Sequence, residues 1–513
     1  FNAAGRRGLP EGKQAHRAEP VGMRAMRGVV AALVCAVVLV PAVPAAWGRT
    51  SVRLISRHPA PPKAVVALID TGINPYSDAF ADDSPLAYTP PWKYIPGYPK
   101  GTPALRLHLD LPYDDAVKAD ADVWSTVRRG QLYWIPGTKI AGAISFGAGG
   151  TSCPAVSPVP PANSVQGDCD DHVILDDAGH GSMTASRAAG NDHSLAPDAR
   201  IVEIEGLGGK AVQWAADQGW IDVQSNSWLS LVPAPVPGGT TDAFAYAAKR
   251  MLTLAASGNG AGYIAGFAPT PTQTLATAPP GVVLVGGHDN GKMTLWSGAP
   301  PHIVADAYAG YSAISTTTEP MRPDPIACCT SAASPYAAGG AAAIVMEARR
   351  ILGDQRAGTR DGLVACGPKG IVSKGPLADG VFTLDELKDV LLHTAQARPV
   401  EGRDDGLIHW AGEPRAPDHT EFGPGANPFC PGCTTTPIPW EPIPDAGGGA
   451  AYQLIGYGAI NEFSVQVAKD VLAGKADMPD RAAADAQYQA DQEFRDQWFS
   501  GRDDGGDVKL PSC

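Results

Sequence analysis

The sequence predicts an α/β protein of three layers: a mostly parallel, twisted sheet with helices on both faces and long loop insertions. Three observations carry this expectation. Short continuous apolar runs recur along the chain, helix-like stretches lie between them, and Pro/Gly-rich segments punctuate the alternation. The 513 residues are 44% hydrophobic and 18% charged, with 59 Gly and 48 Pro, which suits a globular chain with a sizeable core and many loops.

Residues 64–69 (AVVALI) show no polar alternation, as expected of a parallel strand covered on both faces. Similar runs occupy 201–204, 251–256 and 282–285. Helix-like stretches at 182–189, 211–218 and 241–249 separate them, so the order reads as βαβ units. Two longer helices follow. One runs from Ser331 to about Leu352 and begins rich in Ala and Gly; the other follows Thr383, whose hydroxyl forms a capping box with Glu386, and reaches about Gln396. Segments 89–103, 152–163, 231–239 and 423–449 read as surface loops, and no internal repeat is visible.

The first 46 residues divide in two. Residues 1–22 begin with Phe and read as upstream sequence with no fold. Residues 23–46 place Arg24 and Arg27 before an apolar run at 29–40 and a small-residue zone ending at Ala45-Ala46, the order of a cleaved secretory signal. The apolar run is shorter than the ~20 residues a membrane span needs. The expected location is therefore extracellular, with no stable membrane association. A short linker (47–63), one large domain (64–475) and a polar, partly helical tail (476–513) complete the predicted organisation. Without the first 46 residues the net charge falls from −13 to −17, which argues against nucleic acid and anionic lipid as partners.

Export changes the reading of the nine cysteines. Cys35 leaves with the signal, and the remaining eight suggest disulfides. Cys153 with Cys169 would close a local loop, and Cys430 with Cys433 would bridge itself or hold half a zinc site that no second Cys/His pair completes.

Four segments carry candidate chemistry. Asp70 ends the first strand in Leu68-Ile69-Asp70-Thr71-Gly72, where open α/β sheets place ligands, although an acid there also serves as a turn cap. His180 stands between two glycines just before a helix; a lone His is more often a satisfied surface residue. Ser331 opens the Ala-rich helix, as an N-cap or as a nucleophile whose developing charge the helix amides favour. Asn259, in Ser257-Gly258-Asn259-Gly260, follows a buried strand as a turn residue or as an oxyanion donor.

In their order along the chain these segments resemble the subtilisin-like serine peptidases. That family has Asp-Thr/Ser-Gly after the first strand, His-Gly-Thr-His before a helix, Ala-Gly-Asn after a later strand, and Gly-Thr-Ser-Met-Ala-x-Pro at the nucleophile. The resemblance implies a serine endopeptidase in which Asp70 orients His180, His180 is the general base, Ser331 the nucleophile and Asn259 the oxyanion donor. It implies a substrate edge in Gln224-Ser225-Asn226-Ser227-Trp228, a segment expected to follow a strand, with Ser227, Trp228, Leu229, Ser257 and Gly258 as the substrate-binding residues. Peptide or protein substrates and a monomeric enzyme are expected, and the chemistry calls for no cofactor. Residues 456–461 resemble the segment that closes the family's catalytic domain, so the likeness spans about 64–473.

The chain departs from the pattern at Cys329 for Gly, Ala332 for Met, Tyr336 for His, Ser182 for Thr, Met183 for the second His and Leu229 for Gly. Only 23 residues separate Ala46 from Asp70, less than the folding-assistant segment of many relatives. These departures sustain an alternative, a catalytically silent binding or scaffold protein on the same fold. Gly286-x-x-x-x-Gly291-Lys292 imitates a phosphate-binding loop but has Met293 where Mg²⁺ needs a hydroxyl, and reads as a turn after 282–285. No Gly-x-Ser-x-Gly elbow occurs. Asp168, Asp170, Asp171, Asp176 and Asp177 would supply oxygens to a structural Ca²⁺, but read more simply as a solvated acidic loop.

Overall fold

The computed structural model describes residues 63–147, 174–176, 179–191, 194–228, 239–258, 278–289, 292–293, 301–307, 330–359, 361–397, 456–498, 504–509 and 513. The predicted signal at 23–46, Asn259, Leu229, and Cys153, Cys169, Cys328, Cys329, Cys430 and Cys433 lie outside the described residues.

Eight strands in the first part of the chain are β1 (Val65–Asp70), β2 (Ile140–Ser145), β3 (Arg200–Glu205), β4 (Val223–Asn226), β5 (Leu252–Ala256), β6 (Val283–Asp289), β7 (Lys292–Met293) and β8 (Ile303–Asp306). After them β9 (Leu363–Cys366) and β10 (Val381–Thr383) form a separate antiparallel pair, and β11 (Ala459–Ile460) returns to the main sheet. The sheet runs β11-β8-β6-β5-β4-β1-β3-β2, parallel throughout, with β7 folded back antiparallel on β6. The predicted mostly parallel sheet is therefore present.

The helices are α1 (Tyr113–Ala119) and α2 (Ala121–Trp124) in the long connection from β1 to β2, then α3 (His180–Ala189), α4 (Gly209–Asp217), α5 (Thr240–Ala248), α6 (Thr330–Leu352), α7 (Leu384–His393), α8 (Glu462–Leu472) and α9 (Ala482–Trp498). Alternate residues of β1 explain why both sheet faces are covered. Val66 and Leu68 point into one core with α3, α6, α7 and α8, while Val65, Ala67 and Ile69 point into the other with α4 and α5. All six residues of β1 are buried, which is why it shows no polar alternation. Small residues bring α3 and α6 close: a Cβ on Gly339 would stand 2.5 Å from the Ala188 carbonyl oxygen.

Two expectations need correction. Residues 224–228 were expected to follow a strand, but Val223–Asn226 is itself β4, in register with β1 and β5. Its polar side chains hid it: Gln224 donates to Thr253 Oγ1 (2.9 Å), Asn226 to the Leu254 carbonyl (3.1 Å), and Ser225 meets Ser334 (3.0 Å). Likewise the strand does not end at residue 285, and the chain reverses only beyond Asp289 to form β7. β6 continues through Gly286 to Asp289, because β8 pairs with Val285–His288 and carries the ladder on.

Buried charges and one disulfide tie the ends of the elements. Arg349, near the end of α6, is fully buried and donates to Asp222 and to the carbonyls of Gly358 (2.8 Å) and Val364 (2.9 Å). Asp222 in turn accepts from the Val65 amide at 2.8 Å. At the C-terminus, Asp491 of α9 takes the Nε2–H of buried His302, whose Nδ1 accepts from the Leu284 amide. Cys513 is bonded to Cys366 at the end of β9. Among the described residues no helix is long and apolar enough to cross a membrane.

Candidate active site

Three adjacent strands deliver the candidate residues to one edge. Ile69 of β1 is in register with Asn226 of β4, and Asn226 with Ala255 of β5, so Asp70, Ser227 and Ala256 stand at the same level of neighbouring strands, with Ser257 one residue further on. This is the carboxyl edge of a parallel sheet, where such folds gather their ligands.

Asp70 is 2% exposed and its Oδ1 stands 2.6 Å from Nδ1 of His180, the first residue of α3. The Thr71 amide (2.8 Å) and Thr184 hydroxyl (3.2 Å) also donate to this carboxylate and fix its plane. With Nδ1–H donated to Asp70, the ring keeps Nε2 as its basic atom. Desolvation opposes a charge on the His180 ring, but the Asp70 carboxylate outweighs it, with Asp176 adding to the effect, and the pKa stands above the ordinary imidazole value.

Asp176 was placed in a solvated acidic loop, and that reading fails. It is fully buried. Its Oδ1 accepts from the Gly179 amide (2.8 Å) and the Thr71 hydroxyl (2.8 Å), and its Oδ2 from the Ser182 amide (2.7 Å). Thr71 Oγ1 also accepts from the Gly181 amide at 2.9 Å. The backbone on both sides of His180 is thus staked to Asp176 and Thr71, which satisfies the open amides at the start of α3. Burial drives the Asp176 pKa upward against these donors. The signal in sequence was an acid four residues before the histidine, hidden in a run of aspartates. Asp168, Asp170, Asp171 and Asp177 lie outside the described residues.

Ser331 is the second residue of α6 and is largely buried. Pro335 explains how it is held. A proline has no N–H, so the carbonyl four residues back loses its helical partner. That carbonyl belongs to Ser331, and the Ser227 hydroxyl donates to it at 2.9 Å. Ser331 Oγ returns a hydrogen bond to the Ser227 carbonyl at 3.1 Å. The structure thus brings Ser331 to Ser227, and Asp70 to His180. A hydroxyl has one proton, so Ser331 must turn from the Ser227 carbonyl before it can donate to an imidazole.

Trp228 donates its Nε1–H to the Ile69 carbonyl (2.9 Å) and sets its ring against Phe244. Ser257 is buried at the end of β5, and Gly258 beyond it has φ of 99°. Several departures from the family pattern answer one another. Met183 and Ala332 pack together, so α3 carries the bulk that α6 lacks. Tyr336 takes the Arg187 guanidinium over its ring at 4.2 Å, and Arg187 also donates to the Asp306 carbonyl at 3.0 Å. Ser182 keeps a hydroxyl, which accepts from the Asn74 amide. Among the described residues no group of three or more His, Cys, Asp or Glu is placed to hold a metal ion.

The family model for the Subtilase family matches residues 62–410, about two thirds of the chain, and the chain belongs to that family of serine peptidases. No curated protein matches. Among solved structures, a cold adapted subtilisin-like serine proteinase is 16% identical with a TM-score of 0.32, covering 55% of this chain and 76% of its own. A lanthipeptide protease is 14% identical with a TM-score of 0.35, over 79% and 89%. The epidermin leader peptide processing serine protease from Staphylococcus aureus is 13% identical with a TM-score of 0.39, over 82% and 77%. The assignment rests on the family match.

Proposed function

We propose that this chain is a secreted serine endopeptidase that forms an acyl-enzyme on Ser331. The observation that carries the reading is the 2.6 Å contact of Asp70 with His180 Nδ1, which leaves Nε2 as the base. In this mechanism His180 takes the Ser331 proton as Oγ attacks the scissile carbonyl, then returns it to the leaving amine. Asp70 holds the tautomer and balances the imidazolium. Asn259, outside the described residues, is assigned the oxyanion, and Ser227, Trp228, Leu229, Ser257 and Gly258 the extended substrate. The base, its orienting acid and the nucleophile are all side chains, so the chemistry needs no cofactor, and a structural Ca²⁺ is left without a described site. Residues 64–475 would form the catalytic domain after removal of 23–46.

An active-site phosphonylating reagent tests the assignment. It should label Ser331, and Ser331→Ala should abolish both labelling and peptide hydrolysis while leaving the melting temperature near wild type. Hydrolysis unchanged in Ser331→Ala refutes the nucleophile. The second reading, a silent binding protein, is favoured by the Ser331 hydroxyl being engaged with the Ser227 carbonyl. A folded chain inert to the reagent would select it.

A further inference from the structure

Glu203 is among the buried ionisable side chains that have no part in the groups described so far. Glu203 lies in β3 with Leu68 of β1 as its register partner, so its side chain falls on the sheet face that carries Leu68 and Asp70 and that α3 covers. It is fully buried; the Gly72 amide leans on its carboxyl group and favours the charged form, but among the described residues neither carboxyl oxygen has a hydrogen-bond partner of good geometry. A Cβ on Gly181 would meet Glu203 Oε1 at 3.1 Å and the Gly72 carbonyl oxygen at 2.1 Å. The carboxyl group therefore abuts the junction where the chain leaving Asp70 crosses the start of the His180 helix.

The ionisable groups carried by the elements that flank it are Asp70 on β1, Asp176 on the segment before α3, His180 and Arg187 on α3, and Glu205 and Arg200 on β3 itself, Arg200 on the opposite face; β2 and β4 carry none. Those that act on it directly, Asp70, Asp176 and Glu205, are all acids. An ionised Glu203 would be a buried charge facing acids, with no cation bonded to it among the described residues, so burial favours the protonated form. Burial first, and then Asp70 and Asp176, push its pKa well above the ordinary carboxyl value.

We propose that Glu203 is a positioning residue for the Asp70–His180 pair: a neutral carboxylic acid packed behind the Gly72–Gly181 junction, whose ionisation at alkaline pH disrupts that junction and ends activity. While neutral, it fills the space without adding a third negative charge beside His180. The cost appears in stability. The folded chain holds a proton that the unfolded chain releases above the ordinary value of 4.5, so stability falls as pH rises from there toward the folded value.

The inference rests on the peptidase reading only for its activity measurement. Glu203→Gln, of the same shape but unable to ionise, is made in the full chain and compared with wild type in three ways. Between about pH 5 and about pH 9 its advantage in melting temperature should widen steadily. The ring protons of His180, assigned by their loss in His180→Gln, should titrate as in wild type. The acid limb of kcat/KM should stay in place while the alkaline limb moves upward by about one pH unit or more. A melting difference that is constant with pH, a His180 that titrates lower in the variant, or an unmoved alkaline limb each overturns the proposal. If the chain cleaves no peptide, melting and titration still decide the role of Glu203, and the peptidase reading alone fails. Should Gln not fold, Glu203→Ala goes through the same series with the same deciding outcomes.

Discussion

Replacing Ser227 with alanine isolates the bond that seats the candidate nucleophile. Ser227 Oγ donates to the Ser331 carbonyl at 2.9 Å, and that carbonyl is open because Pro335 has no N–H. The site is buried, so the change leaves an acceptor without a partner and should destabilise the protein by about 1–3 kcal/mol. Pro335→Ala restores an N–H four residues beyond Ser331 and supplies the missing helical bond. In that background Ser227→Ala should cost less, with a coupling of about 1 kcal/mol. Urea denaturation of the four proteins of the cycle measures this, provided the slope against denaturant stays constant. Strict additivity of the two changes would refute the claim that Ser227 replaces the bond Pro335 removes. Turnover should fall in Ser227→Ala and recover in part in the double variant, since Ser331 Oγ is carried by the same turn.

Three further outcomes follow from the geometry. Peptidase activity should rise with pH through a midpoint above ~6.5, because His180 must lose a proton that Asp70 helps it keep. The same shift makes stability run the other way: the pair's contribution is full below ~6.5 and is lost as pH rises through the folded value, which pH-dependent melting reads. Asp176→Ala should reduce kcat more than it raises KM and lower stability by about 1–3 kcal/mol, since it frees the Gly179 and Ser182 amides on either side of His180; an equal fall in both kinetic constants with full stability would contradict the staking role. Cys366 and Cys513 are 147 residues apart, so opening their disulfide should lower stability by at most about 5 kcal/mol on the chain-entropy model, seen as a lower urea midpoint under reductant.

The parallel sheet was legible in the sequence because a strand buried on both faces must be apolar at every position, as β1 is. The helix starts were legible for the same local reason: the capping box of Thr383 with Glu386 lies within one turn and needs no distant partner. Asp70, His180 and Ser331 stood out because each interrupts such an element at its end. What escaped sequence reading were buried polar groups whose partners lie far along the chain. β4 looked too polar for a strand until Gln224, Ser225 and Asn226 met Thr253, Ser334 and Leu254. Asp176 looked like solvated loop until Thr71, 105 residues away, and the start of α3 closed over it. Glu203 lay unnoticed inside the short run 201–204, and only the crossing of Gly72 and Gly181 sets a junction of the site against it. Periodicity and capping act over a few residues and so are written into the sequence. Whether a buried polar atom is satisfied depends on which distant segment the fold sets against it, and only the tertiary structure decides that.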